Sequence, residues 1–466
     1  MPLSRRAALK SAAALAFSGL AARVAAQAAG DAYRNEVEGY GPLISDPRGV
    51  FDLPEGFSYQ VISQVGDTMD DGLFTPGRAD GMGCFALEGS RVALVRNHEL
   101  RHDRTSHINL GPGGVAGERN GLIDAAKAYD RFADGRPLPG GTTTLIYDLQ
   151  SRQVVRQHLS LIGTSTNCAG GVTPWGSWLT CEEITRDPGQ DGVNQKHGYV
   201  FEVTANSHGL TEARPLPALG RFDHEAACVD PRTGVVYLTE DESDGLFYRF
   251  VPERPGDLAA GGRLQAMAFK DARGGSSANR AERVWGPGDW RDVVWIDIED
   301  VDSAGVRRRG HAAGATLVAR GEGIHWGDGE LYLTATSGGP IERGQILRYV
   351  PSRFEGQVGE RLRPGRIQLF LEATDERVYN MGDNLTVAPN GHLLVCEDNY
   401  SDDIYNHLRG VTPEGRVYTI GRNIYPGNSE LAGACFSPDG SVLFLNLQTA
   451  GLTLAVRGPW DRVRTS

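Results

Sequence analysis

Segment 166–183, TNCAGGVTPWGSWLTCEE, sets two thiols and two adjacent carboxylates around a Gly-Gly turn and a Trp-rich run. Cys168 and Cys181 are soft ligands, whereas Glu182 and Glu183 are hard ones. Together they suit a metal site able to hold a trivalent or mixed-metal centre, and such a site points to an enzyme rather than a passive scaffold. Acids recur downstream at matching places. Strand-like runs end in Cys181-Glu182-Glu183, Glu240-Asp241-Glu242 and Cys396-Glu397-Asp398, with Thr334-Ala335-Thr336 as an uncharged version.

These residues belong to a repeated unit. AACVDPRTG runs into VVYLTED and GLFYRFVP; IHWGDG into ELYLTAT and GQILRYVP; LTVAPNG into HLLVCED and GVTPEGRVYTI; ACFSPDG into SVLFLNL and LTLAV. VTPWG, SWLTCEE and HGYVFEV form a weaker copy. Each copy reads as strand, tight turn, strand, variable loop, strand, with Asn-Gly or Asp-Gly supplying the left-handed positions of a two-residue hairpin. Repeated antiparallel units with variable loops predict an all-β fold, a β-propeller of six blades. Equivalent positions then converge on one mouth of a central channel, where the recurring acids form a carboxylate ring.

The N-terminus carries SRRAALK, an apolar run and Val24-Ala25-Ala26 before Gln27, the pattern of an export signal. Arg5-Arg6 after Ser4 gives it the twin-arginine form, so residues 1–26 are expected to be removed and 27–466 to form a single propeller domain. Removal takes away Arg5, Arg6, Lys10 and Arg23 and no acid, and the net charge goes from −12 to −16. Such a chain is a poor nucleic-acid binder, because it lacks the cationic surplus that neutralises phosphates. Its acidic balance is compatible with calcium. No second hydrophobic span follows the signal, so a periplasmic or secreted, unanchored monomer is expected. The six cysteines are widely scattered, and several sit in apolar strand patterns as buried free thiols.

With these segments laid out, the chain resembles the PhoX-type alkaline phosphatases across nearly all of the mature length. The resemblance is carried by LPEGFSY, DGM (80–82), VRNHE (95–99), NCAGG, TPWGSWLTCEE, GRFDHEAA, ARGEGIHW, DNLTVAPNGHLLVCED and ELAGACFSPDG. It implies a six-bladed propeller exported by the twin-arginine machinery, with an Fe(3+) and Ca(2+) cluster in the channel. It also implies alkaline hydrolysis of small phosphate monoesters, with diesters as a further class.

On that basis Cys168 is the thiolate ligand to iron, Glu183 binds or bridges iron, and Glu322 completes the cluster. Glu182 points to the opposite face of its strand, since side chains alternate. Arg320 is expected to clamp phosphate bidentately and, with Glu322, to form the catalytic pair. Calcium falls to Glu225, Glu240, Asp241, Asp383, Asn384 and Glu397, with Asp398 as a lesser candidate. His98-Glu99 and Asp223-His224 receive no catalytic role. G-x-S-x-G is absent, which disfavours a serine nucleophile. Two rival readings share the architecture: a calcium-dependent lactonase-type hydrolase, which needs no thiolate, and a non-catalytic binding propeller.

Overall fold

The computed structural model describes residues 33–104, 106, 108–400, 405–427 and 429–465; the signal segment with Arg5 and Arg6 lies outside them. The architecture is an all-β propeller. Each repeat copy opens with a hairpin whose first strand faces the axis: Ala79–Ala86 with Arg91–His98, Asn167–Val172 with Ser177–Glu182, His224–Val229 with Val236–Glu240, Gly321–Trp326 with Leu331–Ala335, Gly382–Val387 with Leu393–Glu397, and Leu431–Phe436 with Leu443–Leu447. These first strands lie side by side in a cycle, the last of them back against Ala79–Ala86. The Ala79–Ala86 copy, whose turn reads Leu-Glu-Gly-Ser, adds a sixth hairpin to the five units of the sequence.

The expected two-residue loop is kept at Asp328-Gly329, where Gly327 N–H donates to Glu330 O (2.7 Å), but in three other copies it is not what forms. Thr173-Pro174-Trp175-Gly176, Ala388-Pro389-Asn390-Gly391 and Ser437-Pro438-Asp439-Gly440 each close with the Gly N–H donating to the carbonyl three residues back. Proline at the second position presets φ, and the fourth takes φ of +84°, +81° and +71°, which glycine adopts without strain. The sequence signal was therefore a Pro-x-Gly four-residue turn.

Hydrogen-bonded ladders give sheets of six, three, nine, two, four and four strands. They do not divide evenly, because Trp290–Asp297 pairs with Gly262–Phe269 on one side and Arg366–Glu372 on the other, joining two copies. Ser58–Gln64, from before the first copy, pairs with Leu452–Arg457 of the last and closes the ring. Apolar clusters fill the spaces between copies; one joins Leu179, Cys181 and Val200 to Phe222, Leu238 and Phe250. All six cysteines are free, and Cys181 is packed in that cluster as a small hydrophobe. The one α-helix among the described residues is Val306–Ala312, and no helix is long and apolar enough to cross a membrane.

Candidate metal centre

All six inner hairpins slip register by one residue at the same place, between Ala79 and Met82, Asn167 and Gly170, His224 and Ala227, Gly321 and Ile324, Gly382 and Leu385, and Ala432 and Cys435. A bulge re-aims a side chain that regular alternation would send elsewhere. The residues it releases are Asp80, Cys168, Glu225, Glu322, Asp383 and Gly433, so five of the six carry a ligand-type group. The next residue is small in all but one copy. A Cβ on Gly81 would stand 2.5 Å from Ala169 Cα and one on Gly323 2.7 Å from Asn384 Cα, which fixes how closely the inner strands approach.

Two features hold the bulges. Arg78, Thr166, Arg320 and Met381, each just before an inner strand, take φ of +50° to +55°. Left-handed non-glycine backbone costs on the order of 1–3 kcal/mol per residue, a strain that clusters at functional sites. Side chains from a neighbouring copy then satisfy the freed carbonyls of the ligand residues. Asn97 Nδ2 donates to Cys168 O (3.0 Å), Thr239 Oγ1 to Glu322 O (2.5 Å), Thr334 Oγ1 to Asp383 O (2.7 Å) and Asn446 Nδ2 to Asp80 O (2.6 Å).

Ligand-type atoms of Cys168, Glu183 and Glu225 lie within 4.8 Å of one another, as do those of Glu225, Glu322 and Asp383. Glu225 belongs to both groups, whereas the sequence reading had placed it with calcium alone. Cys168 Sγ is 3.3 Å from Glu225 Oε1 and 3.7 Å from Asp80 Oδ1. Further along the same strands a cavity of about 90 Å³ is walled by Met82, Val172, Trp178, Ile324, Trp326 and Leu385, so the acids sit above an apolar floor.

Burial, and then repulsion from the neighbouring acids, pushes the Asp80, Glu183, Glu225 and Glu322 carboxyls well above the ordinary carboxylate range. Asp383 is pushed to about 7 by burial and the Asp398 charge. The Cys168 thiol rises for the same reasons, burial first and then Asp80, Glu225 and Glu183. Glu225 Oε2 is buried with no partner. Such a set cannot ionise together without compensation, and a bound cation reverses the sign of every one of these shifts. The residues fit a metal site.

The predicted residues divide by which face of the chain they occupy. Cys168, Glu183, Glu225, Glu322 and Asp383 converge. Arg320 lies beside them, but its fork is already bidentate to Asp241 (Nε 2.7 Å, Nη2 2.9 Å), and Nη2 also reaches Glu322 Oε1 at 2.5 Å. Each Asp241 oxygen thus accepts one hydrogen bond from Arg320. Asn384 turns its amide to structure: Nδ2 donates to Asp383 Oδ1 and Oδ1 accepts from Gly433 N–H, at 2.9 and 2.8 Å.

Glu240 and Glu397 require correction. Each is the last residue of a second strand, where alternation sends the side chain into the copy rather than the channel. Glu240 accepts from Tyr248 Oη (2.8 Å) and Leu246 N–H. Glu397 accepts from Arg409 Nε (2.7 Å) and lies 3.1 Å from His407 Nδ1. Glu182, expected on the opposite face from Glu183, behaves likewise, 2.6 Å from His197 Nδ1.

Asp398, the lesser calcium candidate, and three further acids face the channel. Asp80 and Glu99 share Gln448 Nε2 at 2.8 and 2.7 Å. Asp398 and Glu430 neighbour each other, and burial raises the carboxyls of Glu99, Asp398 and Glu430. Aligning the copies would have found Asp80 at the bulge position and Glu99 one residue past the second strand, matching Glu183, Asp241 and Asp398. His98, between Gly77 O and Thr143 Oγ1, and His224, bonded to Gly220 O and stacked on Phe222, are structural.

No curated protein sequence matched the chain. A solved structure of Pseudomonas fluorescens PhoX in complex with vanadate, a transition state analogue, superposes with a TM-score of 0.66 at 20% identity, covering 92% of this chain and 98% of that one. A Xanthomonas campestris gluconolactonase reaches a TM-score of 0.38 at 14% identity over 90% of this chain and 98% of that one. The sequence profile of the family described as alkaline phosphatase PhoX matches residues 38–451. The chain belongs to that family and is a phosphoric ester hydrolase.

Proposed function

We propose that this protein is an exported, six-bladed phosphatase that releases inorganic phosphate from small phosphate monoesters, with iron and calcium held at its channel mouth. The observation that carries the metal reading is the shared carboxylate: Glu225 belongs to a thiol-containing group and to an all-carboxylate group at once. A thiolate beside two carboxylates suits iron, and Glu225, Glu322 and Asp383 offer the oxygen donors calcium takes. When bound, these cations supply charge neutralisation and polarisation at the phosphoryl oxygens.

The chain's own part is to orient. Asp241 and Glu322 hold Nε and Nη2 of Arg320 and Tyr400 also bonds its guanidinium, so Nη1 is the nitrogen that would donate to an equatorial phosphoryl oxygen, in place of the bidentate clamp. Vanadate in the Pseudomonas fluorescens protein is consistent with a phosphoryl group passing through such a site. The cycle of inner strands supports six blades, and the twin-arginine pattern supports folding before export to the periplasm or beyond.

Iron and calcium would be measured by elemental analysis on protein exported through its own route, with p-nitrophenyl phosphate hydrolysis on the same sample. Iron and turnover, both lost in Cys168→Ala, are the expected result. Calcium alone, with no turnover after iron is supplied, overturns the reading.

A further inference from the structure

Far from the channel, the acidic chain concentrates positive charge. The loop between Gln345–Val350 and Arg366–Glu372 carries Arg353, Arg361 and Arg363. It lies at the end of its copy that holds the Asp328-Gly329 turn, opposite the channel acids, because Leu331 pairs with both Trp326 and Tyr349 there. Beside it opens a cavity of about 480 Å³ with Arg263, Lys270, Arg273 and Arg361 in its walls and Trp295 and Val293 among its lining. Lys270 is paired with Asp292 and Arg263 with Asp297 (3.7 Å), which also lines the cavity, but among the described residues no acid pairs with Arg273 or Arg361.

Val358 and Leu362, on the same loop, are 89% and 88% exposed, more than any other large apolar side chain among the described residues. Their exposure does not come from a loose loop. Arg249, itself buried, binds Glu355 (2.6 Å) and Glu360 (2.5 and 2.8 Å) on either side of Val358, and Glu355 also accepts from Tyr349 Oη and Ser352 N–H. The fold thus anchors two apolar side chains in water, beside unpaired arginines and a cavity of headgroup size.

We propose that this face docks on an anionic lipid surface, with phosphate headgroups meeting Arg263, Lys270, Arg273 and Arg361 and with Val358 and Leu362 entering the acyl boundary. Charge complementarity selects anionic lipid, and the apolar pair distinguishes a lipid surface from a purely polar anion. Docked this way, the channel mouth stays turned to solvent and its soluble esters.

The test is sedimentation of the full mature protein with phosphatidylcholine vesicles, with and without phosphatidylglycerol. Binding is expected only where phosphatidylglycerol is present and is expected to weaken with salt. Arg273→Glu with Arg361→Glu, and separately Val358→Ser with Leu362→Ser, should each weaken it by about tenfold or more. Hydrolysis of p-nitrophenyl phosphate in solution should be unchanged, which shows that both variants are folded. Equal binding to neutral vesicles, undiminished binding in both variants, or no vesicle binding alongside retention on an acidic polymer would each overturn the proposal.

Discussion

Glu225 is the residue on which both ligand groups depend, and that predicts a difference between two variants. Cys168→Ala removes the soft donor of one group only. Glu225→Gln removes a carboxylate from both. Elemental analysis should therefore find one metal lost in the first variant and both depleted in the second, with hydrolysis falling on the order of 10²-fold or more in each. Arg320→Lys is a separate probe, because Lys keeps the charge but not the planar fork that Asp241 and Glu322 grip. Turnover should fall on the order of 10²–10³-fold, as when one transition-state donor is lost, while bound metal stays constant. An equal loss of metal would place Arg320 in the ligand framework instead.

At the scale of the element, the bulges and the strand ends next to them decide which acids face the channel. Thr239→Val keeps shape but withdraws the hydroxyl that satisfies Glu322 O across the copy boundary. Metal affinity is expected to drop about 10–100-fold, as when an orienting partner is lost, and metal-titration curves should shift accordingly. Glu397→Ala should do the reverse. It strips Arg409 of its buried partner, so denaturant unfolding should report a loss of about 3–5 kcal/mol while iron and calcium content stay the same.

His197 adds a pH dependence. Burial alone would depress it, but Glu182 at 2.6 Å and Asp130 at 3.2 Å raise it to about 9. Its folded pKa exceeds the unfolded value, so its contribution is complete below about pH 6.5 and fades as pH rises through 9. The stability gap between wild type and His197→Gln should narrow over that window in denaturant titrations. A gap that widens with rising pH would contradict the assignment.

The whole molecule is a ring closed by a strand borrowed from before the first repeat. Val61 pairs with Leu454 in that closing ladder. At the end of that ladder Val65 N–H donates to Gly451 O (2.8 Å); Val65→Pro deletes this closing bond and should cost about 1–3 kcal/mol, lowering the melting temperature of the whole domain in one transition. Separate melting of the last copy would mean that the ring does not unfold as a unit. Because equivalent positions are brought to one mouth, small changes in closure reach every ligand at once.

Much of this was written in the chain before it folded. The repeated strand-turn-strand units, the Pro-x-Gly turns and the apolar alternation are local, and local patterns are legible from residue types alone. Cys168, Glu183, Glu225, Glu322 and Asp383 were legible as candidate ligands chiefly because their segments resemble a known family, with the recurring acids at strand ends adding support for Glu183. Which of two adjacent acids faces the channel was partly legible. Alternation separated Glu182 from Glu183, and the same rule, carried to the other copies, separates Glu240 from Asp241 and Glu397 from Asp398. The bulges were not legible, because an extra residue is defined only against the strand it pairs with. Hence Glu430, the sharing of Glu225 and the capture of Arg320 by Asp241 appear only when distant segments meet. Sequence determined the repeating unit and the kinds of donor it carries; tertiary structure alone decided which donors stand together, because that depends on closing the ring.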